Sequence, residues 1–407
     1  MVTGAGRSHA RVLRYVVTAL VSAVAVVTTA CAQTVPGHAG PGVAPVATTE
    51  LDHGLFPTEP STFEMEISTS ADIYSLESRR MLGYLVSPYR VDPEFRYLQD
   101  TELIAAGTSP TPNLLPAEFE PIAEKNFFVS GVVTARANNN PRTEKRLALA
   151  VLRFGNDDYA RTAATEYNTA MDVLTPGRQR IDLTGYSEAL AALGPSRDRA
   201  TLFAATGPFV VVAAMSAPPS EAELVGEWFT KLLDLQFDAL KGLTPTPPDD
   251  MLDLPTDPDG IMSMTLPSEF QGSAAFSDLL GAYSPSAYLH MEPDAEAIHD
   301  YEAFGVDLVA RNNATVYRTA GLSQAFALQT ALTRPGRYDE QIDGPPGLGD
   351  ARCVRRDYYT ALFQTFFCVV VYDRYVALVD DTGLGNLPSP ELHQGLAAQY
   401  AILANSR

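Results

Sequence analysis

The chain has 407 residues, 46% apolar and 19% charged, with 29 Lys+Arg against 49 Asp+Glu and a net charge of −20. That length leaves room for two or three domains, and the apolar fraction is enough to build cores. The acidic balance excludes a general nucleic-acid binder, which needs a basic face, and also excludes broad electrostatic adhesion to anionic lipid.

Residues 1–30 read as a signal peptide: Arg7, Arg11 and Arg14 precede the uncharged run YVVTALVSAVAVVTTA, which is short for a membrane span. Thr28-Thr29-Ala30-Cys31 has the form of a bacterial lipobox, with Thr28 where an aliphatic residue is usual. Cys31 is therefore the expected lipid-attachment residue; simple secretion, with a cut nearby, is the alternative. Two or more acyl chains would hold the protein stably on a membrane. Residues 31–50 carry Pro36, Gly37, Gly40, Pro41, Gly42 and Pro45 and few large side chains, and read as a flexible tether.

The body reads as two α+β domains, 51–242 and 264–407, separated by a Pro/Asp-rich linker, 243–263. In the first, IYSLESRRMLGYLV has helical periodicity, and Val129–Ala137 and Arg146–Phe154 are strands joined through Asn138–Pro141. A helix capped by Asn156 follows to about Val173. Next come the strand pair Ala200–Thr206 and Phe209–Met215, then SEAE at 220–223, which reads as a capping box for a helix to about Leu240.

The second half repeats this order. Strands Val306–Arg311 and Thr315–Thr319 flank Asn312-Asn313, and a helix covers about Gly321–Leu332. Strands at about Val354–Tyr359, Ala361–Val371 and Tyr375–Val379 are followed by a terminal helix starting at Ser389-Pro390. TARANNN matches VARNNA, and LFAAT-GP-FVVVAA matches FFCVVVY-DR-YVALVDD. The expectation is an internal duplication of an antiparallel sheet with helices packed on one face.

The stretches LDHGLFPTEP, SLESRRMLGYLVSPYRVDP, DPDG and GLAAQYAIL make the chain resemble a family of uncharacterised mycobacterial and nocardial lipoproteins, a domain of unknown function with N- and C-terminal parts. The resemblance implies a cell-envelope setting and a two-part body. It implies no reaction.

In an exported chain Cys353 and Cys368, both in strand-like sequence, are expected to pair as a disulfide. His-Glu-x-x-His, Gly-x-Ser-x-Gly, Ser-x-x-Lys and phosphate-loop motifs are all absent. The densest set of possible metal ligands is His290, Glu292, Asp294, Glu296 and His299, whose simpler reading is a polar approach to a helix. The linker aspartates lack EF-hand spacing, and Asp257–Gly260 reads as a tight turn. Aromatic pairs such as Phe127-Phe128, Tyr358-Tyr359 and Phe366-Phe367 should put one ring in the core and the other outward or into a pocket.

The expected function is a non-enzymatic binding module on the outer face of the cytoplasmic membrane. It meets the membrane through its lipid anchor only, needs no cofactor and binds no nucleic acid. An envelope protein or a small apolar or sugar ligand would occupy a site between the halves. The alternatives are an envelope hydrolase with a composite site and a purely structural envelope protein.

Overall fold

A computed structural model describes residues 46–106, 116–268, 279–356, 366–381 and 387–406. Cys31, most of the expected tether, and Tyr358 and Tyr359 lie outside them. Among the described residues no helix is long and apolar enough to cross a membrane.

Each half is built on a seven-stranded antiparallel sheet. The first comprises β1 (Tyr97–Ala105), β2 (Phe128–Ala137), β3 (Arg146–Phe154), β4 (Gln179–Ile181), β5 (Leu190–Leu193), β6 (Arg199–Thr206) and β7 (Phe209–Ser216), in spatial order β1-β2-β3-β7-β6-β5-β4. The second comprises β8 (Gly281–Tyr283), β9 (Val306–Arg311), β10 (Thr315–Thr319), β11 (Glu340–Ile342), β12 (Arg352–Arg355), β13 (Phe366–Tyr372) and β14 (Tyr375–Asp381). Its order is β11-β12-β13-β14-β10-β9-β8. Numbered within its own half, each sheet follows the same path, 1-2-3-7-6-5-4. This shared topology is consistent with duplication of an α+β unit.

The longer helices are α1 (Ser70–Leu82), α2 (Asp157–Leu174), α3 (Val225–Leu240), α4 (Leu322–Leu332) and α5 (Pro390–Asn405). α2 and α4 follow the third strand of their sheets, and α3 and α5 follow the seventh. They pack on both faces of each sheet, not one. On β13, Phe366, Cys368 and Val370 share a core with Leu392 and Leu396 of α5, while Phe367, Val369 and Val371 share one with Ala325 and Leu328 of α4. The run FFCVVV is unbroken by polar residues because both faces are covered. Phe366 and Phe367 are accordingly both buried, so this pair offers no ring to bulk solvent. In the first sheet Val133, Ala135 and Ala150 face α2, and Val132, Leu149 and Val151 face α3. The core against α3 continues into Tyr288, Tyr301 and Tyr317, so the two halves share it.

Local signals mostly act as their chemistry dictates. Asn156 Oδ1 accepts from the Tyr159 amide at 3.0 Å to cap α2. Asn138 Oδ1 accepts from the amides of Asn140 and Lys145 at 3.1 and 3.0 Å, which closes the β2–β3 hairpin. The capping box expected at 220–223 does not form. Residues Pro219–Leu224 make a 3-10 turn with no side-chain cap, because Glu221 is taken by the buried Lys145 at 2.5 Å and Glu223 pairs with Arg197. A capping box forms at α1, where Thr69 and Asp72 exchange bonds.

The Pro/Asp-rich segment is packed against the body: Leu243, Met251, Ile261 and Met262 are buried. Asp257 accepts from the Met262 amide at 2.7 Å and Ser263 Oγ at 2.8 Å, which fixes the turn at Asp259-Gly260. Cys353 and Cys368 stand directly opposite on β12 and β13, with Cα atoms 4.1 Å apart, and form a disulfide. Closing a loop of 15 residues is worth about 3 kcal/mol in the chain-entropy account.

Candidate functional site

The segment from His290 to His299 runs from the C-terminal half onto the start of β1. The Leu98 amide donates to Pro293 O at 2.9 Å, and the Ala295 amide donates to Arg96 O at 3.2 Å. Arg96 grips Asp294 through two bonds of 2.5 Å and also pairs with Glu296. Arg136, fully buried on β2, donates to Arg96 O, Leu289 O and Glu292 O at 2.9, 2.7 and 2.8 Å.

The five residues singled out as possible metal ligands are therefore dispersed among separate partners. His290 Nε2 meets Leu85 O at 2.8 Å, and Glu292 accepts from the Tyr301 hydroxyl at 2.6 Å. Asp294 and Glu296 serve Arg96, and the His299 ring lies 6.2 Å from Tyr89. Among the described residues, none of the five belongs to a group of three convergent ligand atoms.

Desolvation pushes the His290 imidazole from its ordinary 6.5 down to about 4, and Arg136 adds repulsion. The sign follows from linkage. The folded ring stays neutral while the unfolded chain takes up a proton as pH falls below 6.5. This contribution is fully present above pH 6.5 and falls by about 3 kcal/mol as pH drops to 4. His290→Gln keeps a donor for Leu85 O and removes the titration. Urea unfolding at neutral pH and near pH 4 should show the wild type losing about 3 kcal/mol more than the variant. Equal losses would mean that the buried ring does not resist protonation.

Beside this crossing lies a cavity of about 1150 Å³. The β2–β3 hairpin supplies Asn138 and Asn139 to its wall, and the β9–β10 hairpin supplies Arg311, Asn312 and Asn313. These are the two asparagine-rich motifs that repeat in the sequence. Equivalent turns of the two halves thus border one cavity.

The ring of Tyr317 stands edge-on to Tyr288, with centroids 5.4 Å apart, and stacks on Tyr301 at 5.5 Å. Arg356 lies over Phe367, 4.2 Å from its centroid. Glu292 and Asp380 bring carboxyl groups to the same cavity. Burial raises both above the usual carboxylate range, against the pull of Arg356. Arg334, Arg337 and Tyr338 form an exposed part of the lining. Stacking faces, hydrogen-bonding amides and guanidinium groups together suit a polar ligand with flat apolar surfaces.

Sequence reading placed Glu292, Asp294 and Glu296 in one segment but missed Tyr288, Tyr317, Arg356 and Asp380 as neighbours. The repeated Asn motifs were the available signal, since both border the cavity.

Residues 66–256 match the N-terminal part of a domain of unknown function, DUF7373, and residues 261–406 match its C-terminal part. The chain belongs to the DUF7373 family. The boundary between its two parts falls within the packed Pro/Asp-rich segment. No curated protein matches the sequence. Among solved structures, the chain is similar to the extracellular domain of PknH from Mycobacterium tuberculosis at 12% identity and a TM-score of 0.30, over 39% of this chain and 96% of that one.

Proposed function

We propose that this DUF7373 protein is a lipoprotein of the cell envelope, held outside the cytoplasmic membrane by acylated Cys31, and that its body binds a sugar-bearing small molecule in the cavity shared by the two halves. The observation that carries the binding reading is the cavity itself, bordered by equivalent hairpins and lined by tyrosine rings, asparagines and arginines. Flat ring faces with hydrogen-bonding groups at their edges suit the alternating apolar and hydroxyl surfaces of a saccharide. Support for export comes from the leader-like residues 1–30 and from the disulfide, which persists in oxidising compartments.

Two measurements test the two parts. Cys31→Ala should move the protein from the membrane fraction to the soluble fraction, with loss of the acyl mass. Saturation-transfer NMR against neutral and acidic oligosaccharides should give at least one binder. Tyr338→Ala, a change at an exposed wall of the cavity, should weaken that binder by roughly tenfold, the scale of one lost aromatic contact. A panel without a binder, with an apolar cargo found by native mass spectrometry, would replace the sugar reading with lipid carriage.

A hydrolase reading has one observation in its favour. Glu292 and Asp380 border one cavity, and burial raises each carboxyl, as the proton donor of a general acid requires. Turnover of a bound oligosaccharide that Glu292→Gln abolishes while binding persists would favour it.

A further inference from the structure

The Cys353–Cys368 disulfide has a neighbour that its clamping role does not explain. His393, on the first turn of α5, brings a ring nitrogen within 4.8 Å of both sulfurs. Its Nε2 is buried and makes no hydrogen bond. An orphaned buried nitrogen calls for a partner, because leaving such a group unpaired costs about 1–3 kcal/mol. The sulfurs of a disulfide are poor acceptors, so the oxidised form leaves Nε2 without one.

Reduction changes the chemistry of this spot. Two thiols and an imidazole nitrogen then stand together on three backbone supports, β12, β13 and α5. Thiolate and imidazole are the donors that borderline-soft divalent cations such as zinc prefer. Bond lengths of about 2.3 Å to sulfur and about 2.0 Å to nitrogen place tetrahedral ligand atoms roughly 3.5 Å apart. The nitrogen, within 4.8 Å of both sulfurs, closes by about 1 Å as the side chains rotate, and the sulfurs separate to that range once the bond between them is broken. The half-exposed His393 gives a path from solvent.

We infer that Cys353, Cys368 and His393 form a redox-gated site for a zinc-class cation: closed as the disulfide, open when reduced. The reductant is a dithiol. It transfers two electrons and two protons to the disulfide, leaving two cysteine thiols, and is itself oxidised to a disulfide. Binding of Zn²⁺ then releases the two thiol protons to solvent, giving two thiolate–metal bonds and one bond to His393 Nε2. Water completes the tetrahedron. The site stands apart from the cavity above and shares none of its lining residues.

Cobalt(II) is the probe, because tetrahedral thiolate coordination gives strong visible bands and a sulfur-to-metal charge-transfer band. The full chain in detergent is reduced with a dithiol, freed of it without air, and titrated. One cobalt per chain should bind with both sets of bands, zinc should displace it, and the oxidised chain should show neither. His393→Ala leaves the disulfide intact, and its reduced form should bind cobalt with affinity lower by roughly tenfold or more. A reduced wild type without charge-transfer absorption, or a His393→Ala protein with unchanged affinity and spectrum, overturns the site. Should reduction unfold the chain, zinc-dependent recovery of far-ultraviolet dichroism supports it, and failure to recover overturns it.

Discussion

Replacing Glu77 by Gln should lower the free energy of unfolding by about 3–5 kcal/mol, the range seen when one member of a buried ion pair is removed. Glu77 is fully buried on α1. Its Oε1 accepts from Arg153 Nη1 at 2.6 Å and from the Thr246 amide at 3.1 Å, and its Oε2 accepts from Arg80 Nε at 2.9 Å and Thr246 Oγ1 at 2.8 Å. One carboxylate therefore ties α1, β3 and the Pro/Asp-rich segment together. Arg153 completes the ring by donating to Thr246 O at 2.6 Å. Without the negative charge, Arg153 stays buried and positive with no counterion. Arg80 is less exposed to this penalty, since its side chain reaches solvent. Equilibrium urea unfolding measures the loss, and Glu77→Leu combined with Arg153→Leu should cost less than either change alone. A double substitution whose cost is the sum of the singles would show that the pair is not coupled.

The same group gives a pH signature. Burial pushes the Glu77 carboxyl up, but the bonds from Arg80 and Thr246 outweigh it and hold the group below its ordinary 4.5. A lowered carboxylate stabilises the fold fully above the unfolded value and loses that contribution as pH falls through the folded one. The wild type should therefore lose stability below about pH 4.5 more steeply than Glu77→Gln.

The sequence makes the repeat legible because its strongest elements are strongly patterned. FVVVAA and FFCVVV are long apolar runs: the first is β7, the central strand of its sheet, and the second is β13, the interior strand beside the central β14, and both faces of each are covered. One strand that escapes notice is long: β1 carries Gln99, Asp100, Thr101 and Glu102 in its middle, which hide its alternation. The others are marginal in the physical sense. β4 and β11 are three-residue edge strands with polar, exposed residues, and β8 is equally short. They exist because a neighbouring strand offers its backbone, not because their own side chains demand it. Helix placement on the two faces was underread for a related reason. Alternation of apolar and polar residues announces one covered face, but its absence in β13 required reading the uninterrupted run as two.

The acid- and histidine-rich segment shows a different limit. Composition found a cluster, but composition carries no directions. His290, Asp294 and Glu296 answer to Leu85 and Arg96, which are distant in sequence and reach the segment only once the halves have packed, while Glu292 answers to Tyr301, nine residues on. The cavity was legible at one remove, through the repeated Asn motifs. Its tyrosine floor was not, because Tyr288 and Tyr317, backed by the buried Tyr301, come from separate places in the chain with no shared spacing. Burial holds the Tyr301 and Tyr317 phenols well above their ordinary value, so they act there as neutral hydrogen-bonding groups.

The repeat also sets up the sharpest contrast in the molecule. Arg136 in TARANNN and Arg311 in VARNNA occupy matching places, at the ends of the second strands of their sheets. Arg136 is sealed off and spends its donors on three carbonyls of two crossing segments, whereas Arg311 borders the cavity. Desolvation lowers the Arg136 guanidinium to about 10, which leaves it protonated at neutral pH. Arg136→Leu removes the donors for Arg96 O, Leu289 O and Glu292 O together. Arg96 O keeps the Ala295 amide and Leu289 O keeps the Glu292 amide, so among the described residues only Glu292 O is stranded. At about 1–3 kcal/mol for that carbonyl and about 1 kcal/mol for each of the other two bonds lost, less the relief of a buried charge, the expected loss is about 3 kcal/mol. Arg136→Lys keeps the charge but lacks the planar fork that reaches three acceptors at once, so it should recover less than half of that. Arg311→Leu, whose parent side chain faces open volume, should change stability by no more than about 1 kcal/mol. Hydrogen exchange separates a local from a global effect. If Arg136 holds the crossing, amides from Leu289 to Ala295 should lose protection before the central strands β3 and β7 do. Simultaneous loss across both sheets would instead make Arg136 part of the common core, with no special hold on the segment that borders the cavity.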